Sequence, residues 1–127
     1  MMNKERFDQL TEGLLFMSET DAPLDYFELD PAASKQWPPS TGGEFLQLIG
    51  EDPGTHVESL APEKFFRDLL QGNEDSAEQV AALEKAMTDG LRNLAGFRVG
   101  EIEIHIFVLG QDDSGKVAGL RTLSVET

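Results

Sequence analysis

The residues able to do chemistry in this sequence fall into a few short groups. His105 stands with Glu101 and Glu103 at alternate positions, which on an extended strand share one face with neighbours about 6.8 Å apart. Such a trio offers donors for Zn²⁺ or Mn²⁺, or a His–carboxylate acid/base pair. A strand face that water solvates uses the same residue types, and it is the reading this spacing favours. His56 lies far off in the sequence, and nothing in the spacing pairs it with the trio. Asp112-Asp113-Ser114-Gly115 reads as a turn, because it lacks the alternating oxygen ligands and distal Glu of a calcium loop. Ser18-Glu19-Thr20-Asp21 follows directly on the apolar Leu14-Leu15-Phe16-Met17, which fixes its carboxylates against a rigid base. Val125-Glu126-Thr127 ends the sequence and sets a terminal carboxylate beside a hydroxyl, an oxygen pair suited to hard cations.

Catalytic signatures are missing. With no Cys there is no disulfide framework, thiol chemistry, Fe–S cluster or cysteine zinc site. No phosphate-binding Gly loop, G-x-S-x-G elbow or H-E-x-x-H occurs. Ten Lys+Arg against 24 Asp+Glu give a formal charge of −14 at pH 7. A surface this acidic repels nucleic-acid phosphates and anionic membranes, so neither is expected as a partner. It favours basic partners, divalent cations or nothing specific, since many acidic domains are simply soluble. No apolar signal core opens the sequence and the longest apolar run is too short for a bilayer, so a cytoplasmic location is the expectation.

These groups need a scaffold, and 127 residues with 39% hydrophobic content suffice for a single domain. Asn3 caps a first helix carrying Phe7, Leu10 and Leu14, which Gly13 ends or kinks. Tyr26–Leu29 reads as a short strand stopped by Pro31. Ala32–Gly43, rich in Ser, Pro and Gly, reads as a loop in which Trp37 is a local anchor. Glu44–Ile49 fits a helical turn or a strand equally, and Asp52-Pro53-Gly54 is a turn. Pro62 starts a helix that buries Phe65, Phe66, Leu69 and Leu70 and stops at Gly72. Ser76 and Gln79 form a capping box for a long helix over 76–95, with Val80, Leu83, Met87, Leu91 and Leu94 on its buried stripe and Gly96 as its stop. Gly90 is a place where a neighbouring element can approach closely. Ile102, Ile104, Ile106 and Val108 then alternate on one face of a strand, with Glu101, Glu103, His105 and Phe107 on the other. Lys116–Thr127 returns as the second strand of a hairpin. Helices before and between antiparallel strands make the fold class α+β.

Gly13-Leu14-Leu15-Phe16-Met17-Ser18-Glu19 and the ending Ala118-Gly119 … Val125-Glu126-Thr127 closely resemble the nuclease A inhibitor family. The likeness continues through Phe65-Phe66, the long helix, Gly100-Glu101 and the closing hairpin. Asp30–Gly50 matches only weakly.

The resemblance implies an α/β/α sandwich with an antiparallel-containing sheet, similar to that of plant pathogenesis-related proteins. It implies a protein inhibitor, not an enzyme, whose partner is a sugar-nonspecific, metal-dependent DNA/RNA endonuclease. In that family the C-terminal threonine ligates the nuclease's catalytic metal, and the matching position is Thr127, next to Glu126. An acidic residue of the first loop pairs with a catalytic arginine, and the matching position is Glu19. A third contact comes from an acidic residue followed by Trp before the long helix. Here Gln71-Gly72-Asn73-Glu74-Asp75 is shorter and has no Trp, so Glu74 or Asp75 supplies the acid. No cofactor is implied, since a divalent ion such as Mg²⁺ belongs to the nuclease. The alternative is an acidic binding module of the same family whose partner is a different basic protein.

Overall fold

A computed structural model describes residues 3–127. In chain order the elements are α1 (Lys4–Thr11), β1 (Leu15–Met17), β2 (Asp21–Pro23), β3 (Asp25–Glu28), α2 (Pro31–Ser34), α3 (Gly42–Ile49), β4 (Val57–Leu60), α4 (Pro62–Gln71), a 3-10 turn (Glu74–Ser76), α5 (Ala77–Gly90), β5 (Arg92–Val99), β6 (Glu103–Gln111) and β7 (Val117–Val125). β1 and β2 form a small hairpin, while the other strands make a five-stranded sheet in the order β3-β7-β6-β5-β4. Every pairing is antiparallel. The α+β expectation holds.

The central strands explain the layering. Along β6, Ile104, Ile106 and Val108 enter a core with Phe7, Phe65, Leu83 and Met87, which belong to α1, α4 and α5. The alternate residues Phe107 and Leu109 enter a second core with Trp37, Phe45 and Phe97, roofed by α2 and α3. Helices therefore cover both faces of the sheet. Strands buried on both sides lose polar alternation, which is why β6 is buried from Ile106 through Gly110. No helix among the described residues is long and apolar enough to cross a membrane.

Several expectations need correction. The long helix ends at Gly90, not near Gly96, and Arg92–Val99 is a strand. A register shift between Arg92 and Ala95 inserts one extra residue into the β5–β6 ladder, with Asn93 at φ 52°. A bulge adds a residue to the two-residue strand period. Leu91 and Leu94, three apart, consequently meet the same core and imitate helical spacing. Ser76 makes no side-chain cap, because the 3-10 turn leads into the helix and leaves Ser76 at φ −117°, ψ 30°, away from extended cap geometry. Gln79 instead reaches α1, donating to the Leu10 and Glu12 carbonyls at 2.9 and 2.8 Å. Gly90 has no neighbour within 4 Å of a built Cβ, so it makes no close approach.

Ile102 precedes β6 and is 60% exposed, so the apolar face begins at Ile104. Phe107 shares a face with Glu103 and His105 as expected, but that face enters the second core at Phe107, while Glu103 and His105 stay exposed. Leu70 is 37% exposed, not buried. The Ser/Pro/Gly stretch read as a loop overlaps α2 at one end, capped by Asp30 accepting from the Ala33 N–H at 2.8 Å, and α3 at the other. The undecided Glu44–Ile49 is helical, within α3. Val57–Leu60, unassigned by pattern, is the edge strand β4. Trp37 is an anchor, buried with its indole N–H on the Asn93 carbonyl at 2.9 Å.

Candidate functional site

The turn between β1 and β2 is built from the core outward. Phe16 of β1 is buried and stacks on Phe65 of α4, with ring centroids 5.4 Å apart and planes at 7°. Met17 then faces outward across Gly72, where any Cβ would overlap its side chain. Asn73 pins the other end of this strand, donating from Nδ2 to the Leu15 and Leu69 carbonyls at 2.8 Å each. The Ser18–Thr20 turn thus stands on an apolar, hydrogen-bonded base.

Ser18 joins this turn to the end of the chain. Its hydroxyl donates to the Thr20 carbonyl at 2.8 Å and accepts from the Val125 N–H at 3.0 Å. The Glu19 N–H reaches the Val125 carbonyl at 3.4 Å. Glu19 and Thr127 meet as a result, the Thr127 hydroxyl donating to Glu19 Oε1 at 2.7 Å. Both residues are exposed. With its proton directed at a carboxylate, the Thr127 oxygen keeps its lone pairs for another partner, as a ligand oriented from behind does.

Glu126, just past the end of β7, is held by its own chain. Its N–H donates to the Ile102 carbonyl at 2.9 Å. Its carboxylate accepts from Arg98 Nη2 at 2.7 and 2.6 Å and from the Ser124 hydroxyl at 2.8 Å. The Arg98 hydrogen bonds, helped by Ser124 and opposed by burial, hold the Glu126 carboxyl below the usual carboxylate range. Behind Arg98, Glu58 Oε2 lies 4.0 Å from Nε, and Glu58 Oε1 meets His56 Nε2 at 2.9 Å. Glu19, Arg98, Glu126 and Thr127 line one open cleft of about 950 Å³, together with Leu60 and Gly72.

Glu19, Glu126 and Thr127 therefore come together from opposite ends of the sequence. Glu74 and Asp75 do not join the cleft lining, which ends at Gln71 and Gly72; they sit exposed in the 3-10 turn just past Asn73. Sequence reasoning missed Arg98. Its only trace was a cation between the apolar Phe97 and Val99, and nothing in that spacing names Glu126. It also missed the Ser18 hydroxyl as the link between the two terminal segments.

The other candidates resolve differently. Glu101 lies outside β6, leaving only Glu103 and His105 on one strand face. Among the described residues no group of three or more His, Asp or Glu is placed to hold a metal ion. Asp112 is a turn residue whose Oδ1 accepts from the Ser114 N–H, the Ser114 hydroxyl and the Lys116 N–H at 2.9, 2.6 and 3.0 Å.

No curated protein matches this chain. A family model described as "Nuclease A inhibitor-like protein" matches residues 3–127, which takes in both halves of the Glu19–Thr127 pair.

Proposed function

The chain belongs to the nuclease A inhibitor-like family, and from that premise we propose that it inhibits a sugar-nonspecific, metal-dependent DNA/RNA endonuclease by occluding its active site. The observation that carries this reading is the 2.7 Å hydrogen bond between Thr127 and Glu19. It presents a metal-seeking oxygen and an arginine-seeking carboxylate side by side at an exposed rim. A nuclease cleft must be positive to hold phosphates, and a chain of charge −14 is complementary to it. The Thr127 hydroxyl and α-carboxylate take the place of substrate phosphate oxygens on the nuclease's divalent ion. The second oxygen of Glu19 receives a catalytic arginine. Glu74 and Asp75 add negative charge to the rim. The chain needs no cofactor and carries out no reaction.

The test is cleavage of plasmid DNA by such a nuclease in saturating Mg²⁺ with excess protein ending at Thr127. Inhibition is expected, and a few residues appended after Thr127 should abolish or greatly weaken it. Full inhibition by the extended protein would sink the metal-ligation mechanism. A second reading, binding of a different basic protein, draws on the segment Gln71–Asp75, which carries no aromatic anchor. It is favoured if no metal-dependent nonspecific nuclease is inhibited.

A further inference from the structure

We propose that Arg98 is the positioning residue of the inhibitory tail, a clamp that reaches from β5 to hold Glu126 and so aims Thr127. The functional arm rests on the nuclease-inhibitor reading; the structural arm does not.

β7 ends at Val125, so Glu126 and Thr127 lie beyond the sheet ladder. Residues past the last strand fray unless something ties them down. The backbone supplies one tie, from the Glu126 N–H to Ile102. The Thr127 hydroxyl supplies a second, to Glu19, and the Glu126 side chain a third, of which Arg98 is the charged component. Arg98 belongs to β5, which β6 separates from β7, so its side chain bridges two strands to meet the tail. The contact is partly desolvated, with 24% of the Arg98 side chain and 46% of Glu126 exposed. A charge-assisted hydrogen bond gains strength in that setting. Glu58 braces the guanidinium from the far side.

Both Glu126 oxygens are turned on Arg98 Nη2, and one also takes the Ser124 hydroxyl. Glu126 is thereby engaged within its own chain. Of the two carboxylates flanking Thr127, Glu19 is offered to a partner and Glu126 is the mount. A tail ordered before binding spares the association its ordering entropy.

Arg98→Ala is the direct test, with two readouts. In the free protein, the ¹H–¹⁵N heteronuclear NOE of Glu126 and Thr127 should fall and their amide exchange should quicken. The probe for function is the Mg²⁺-dependent nonspecific endonuclease that the parent protein inhibits. Against it, Arg98→Ala should raise the inhibition constant about 10–100-fold, the range seen when a residue that orients a metal ligand is lost. Arg98→Lys should recover part of this, because one nitrogen makes both contacts. Arg67→Ala, which removes a cation from the exposed side of α4, should change neither readout. Losing Arg98 makes the chain more negative, so a field effect alone would strengthen attraction to a basic cleft. An ordered tail in folded Arg98→Ala overturns the proposal, as does unchanged inhibition. Should Arg98→Ala fail to fold, Glu126→Ala removes the same clamp from its exposed partner, with the same expected results. If the tail loosens as expected but the parent inhibits no nuclease, the inhibitor reading fails while the clamp stands.

Discussion

Glu19 and Thr127 are 108 positions apart in sequence and joined by one hydrogen bond, so each can be tested through the other. Glu19→Ala should leave association nearly unchanged and speed dissociation, because a buried arginine of the partner loses its counter-charge. Such truncations cost about 2–5 kcal/mol, readable by surface plasmon resonance on an immobilised nuclease. Equal residence times for parent and variant would remove Glu19 from the contact. Glu103→Gln, on the exposed start of β6, is the control and should act only weakly through the field. Asp112 is a separate case, concerning stability. Burial raises its pKa, but hydrogen bonds from the Ser114 hydroxyl and the Lys116 and Ser114 N–H groups outweigh that and lower it overall. A lowered folded-state pKa means stability present above the unfolded value of about 3.9 and lost as pH falls through the folded one. Asp112→Ala should cost about 1–3 kcal/mol at neutral pH, and urea titrations should show the gap narrowing in acid. At this scale the sequence was readable where a residue type announces its job, as Asp112 does in a turn. It was mute about Arg98, because strand spacing does not say which residue beyond an intervening strand a long side chain will meet.

Elements were legible where one period governs them and obscure where two periods meet. α4 follows from Pro62, its apolar stripe and Gly72. The hairpin of β6 and β7 follows from alternation and the Asp112–Gly115 turn. The junction of α5 with β5 was misread, because the bulge near Asn93 spaces Leu91 and Leu94 as a helix would. β4 escaped notice because none of its residues is buried, leaving no apolar stripe to read. Burial separates two substitutions that sequence periodicity treats alike. Leu83, 0% exposed in the middle of α5, should cost about 2–5 kcal/mol as Leu83→Ala. Ile102→Ala, at a residue 60% exposed, should stay within about 0.5 kcal/mol. Thermal melts of the pair check both, and an unmoved midpoint for Leu83→Ala would contradict the face assigned to α5.

For the whole molecule the dominant quantity is a charge of −14. Association with a basic nuclease should be fast at low ionic strength and slow steeply as salt rises, since charges beyond about 8 Å are largely screened at physiological salt. Stopped-flow association measured across a salt series checks this; a flat dependence would exclude steering. The same charge bears on how copies of the chain treat one another. The sheet is open, and its outer strands β3 and β4 have four residues each. Exposed Asp25 and Glu28 stand on one rim and Glu58 on the other. Unpaired backbone on such a rim is a template for polymer growth, and charged side chains are a common guard against it. The net charge of the chain reinforces this guard, and net charge varies with pH. Near pH 7 the protein should stay dispersed through long incubation. Near the isoelectric point of about 4.3 the net charge vanishes, copies of the chain no longer repel one another, and thioflavin-positive fibrils should nucleate.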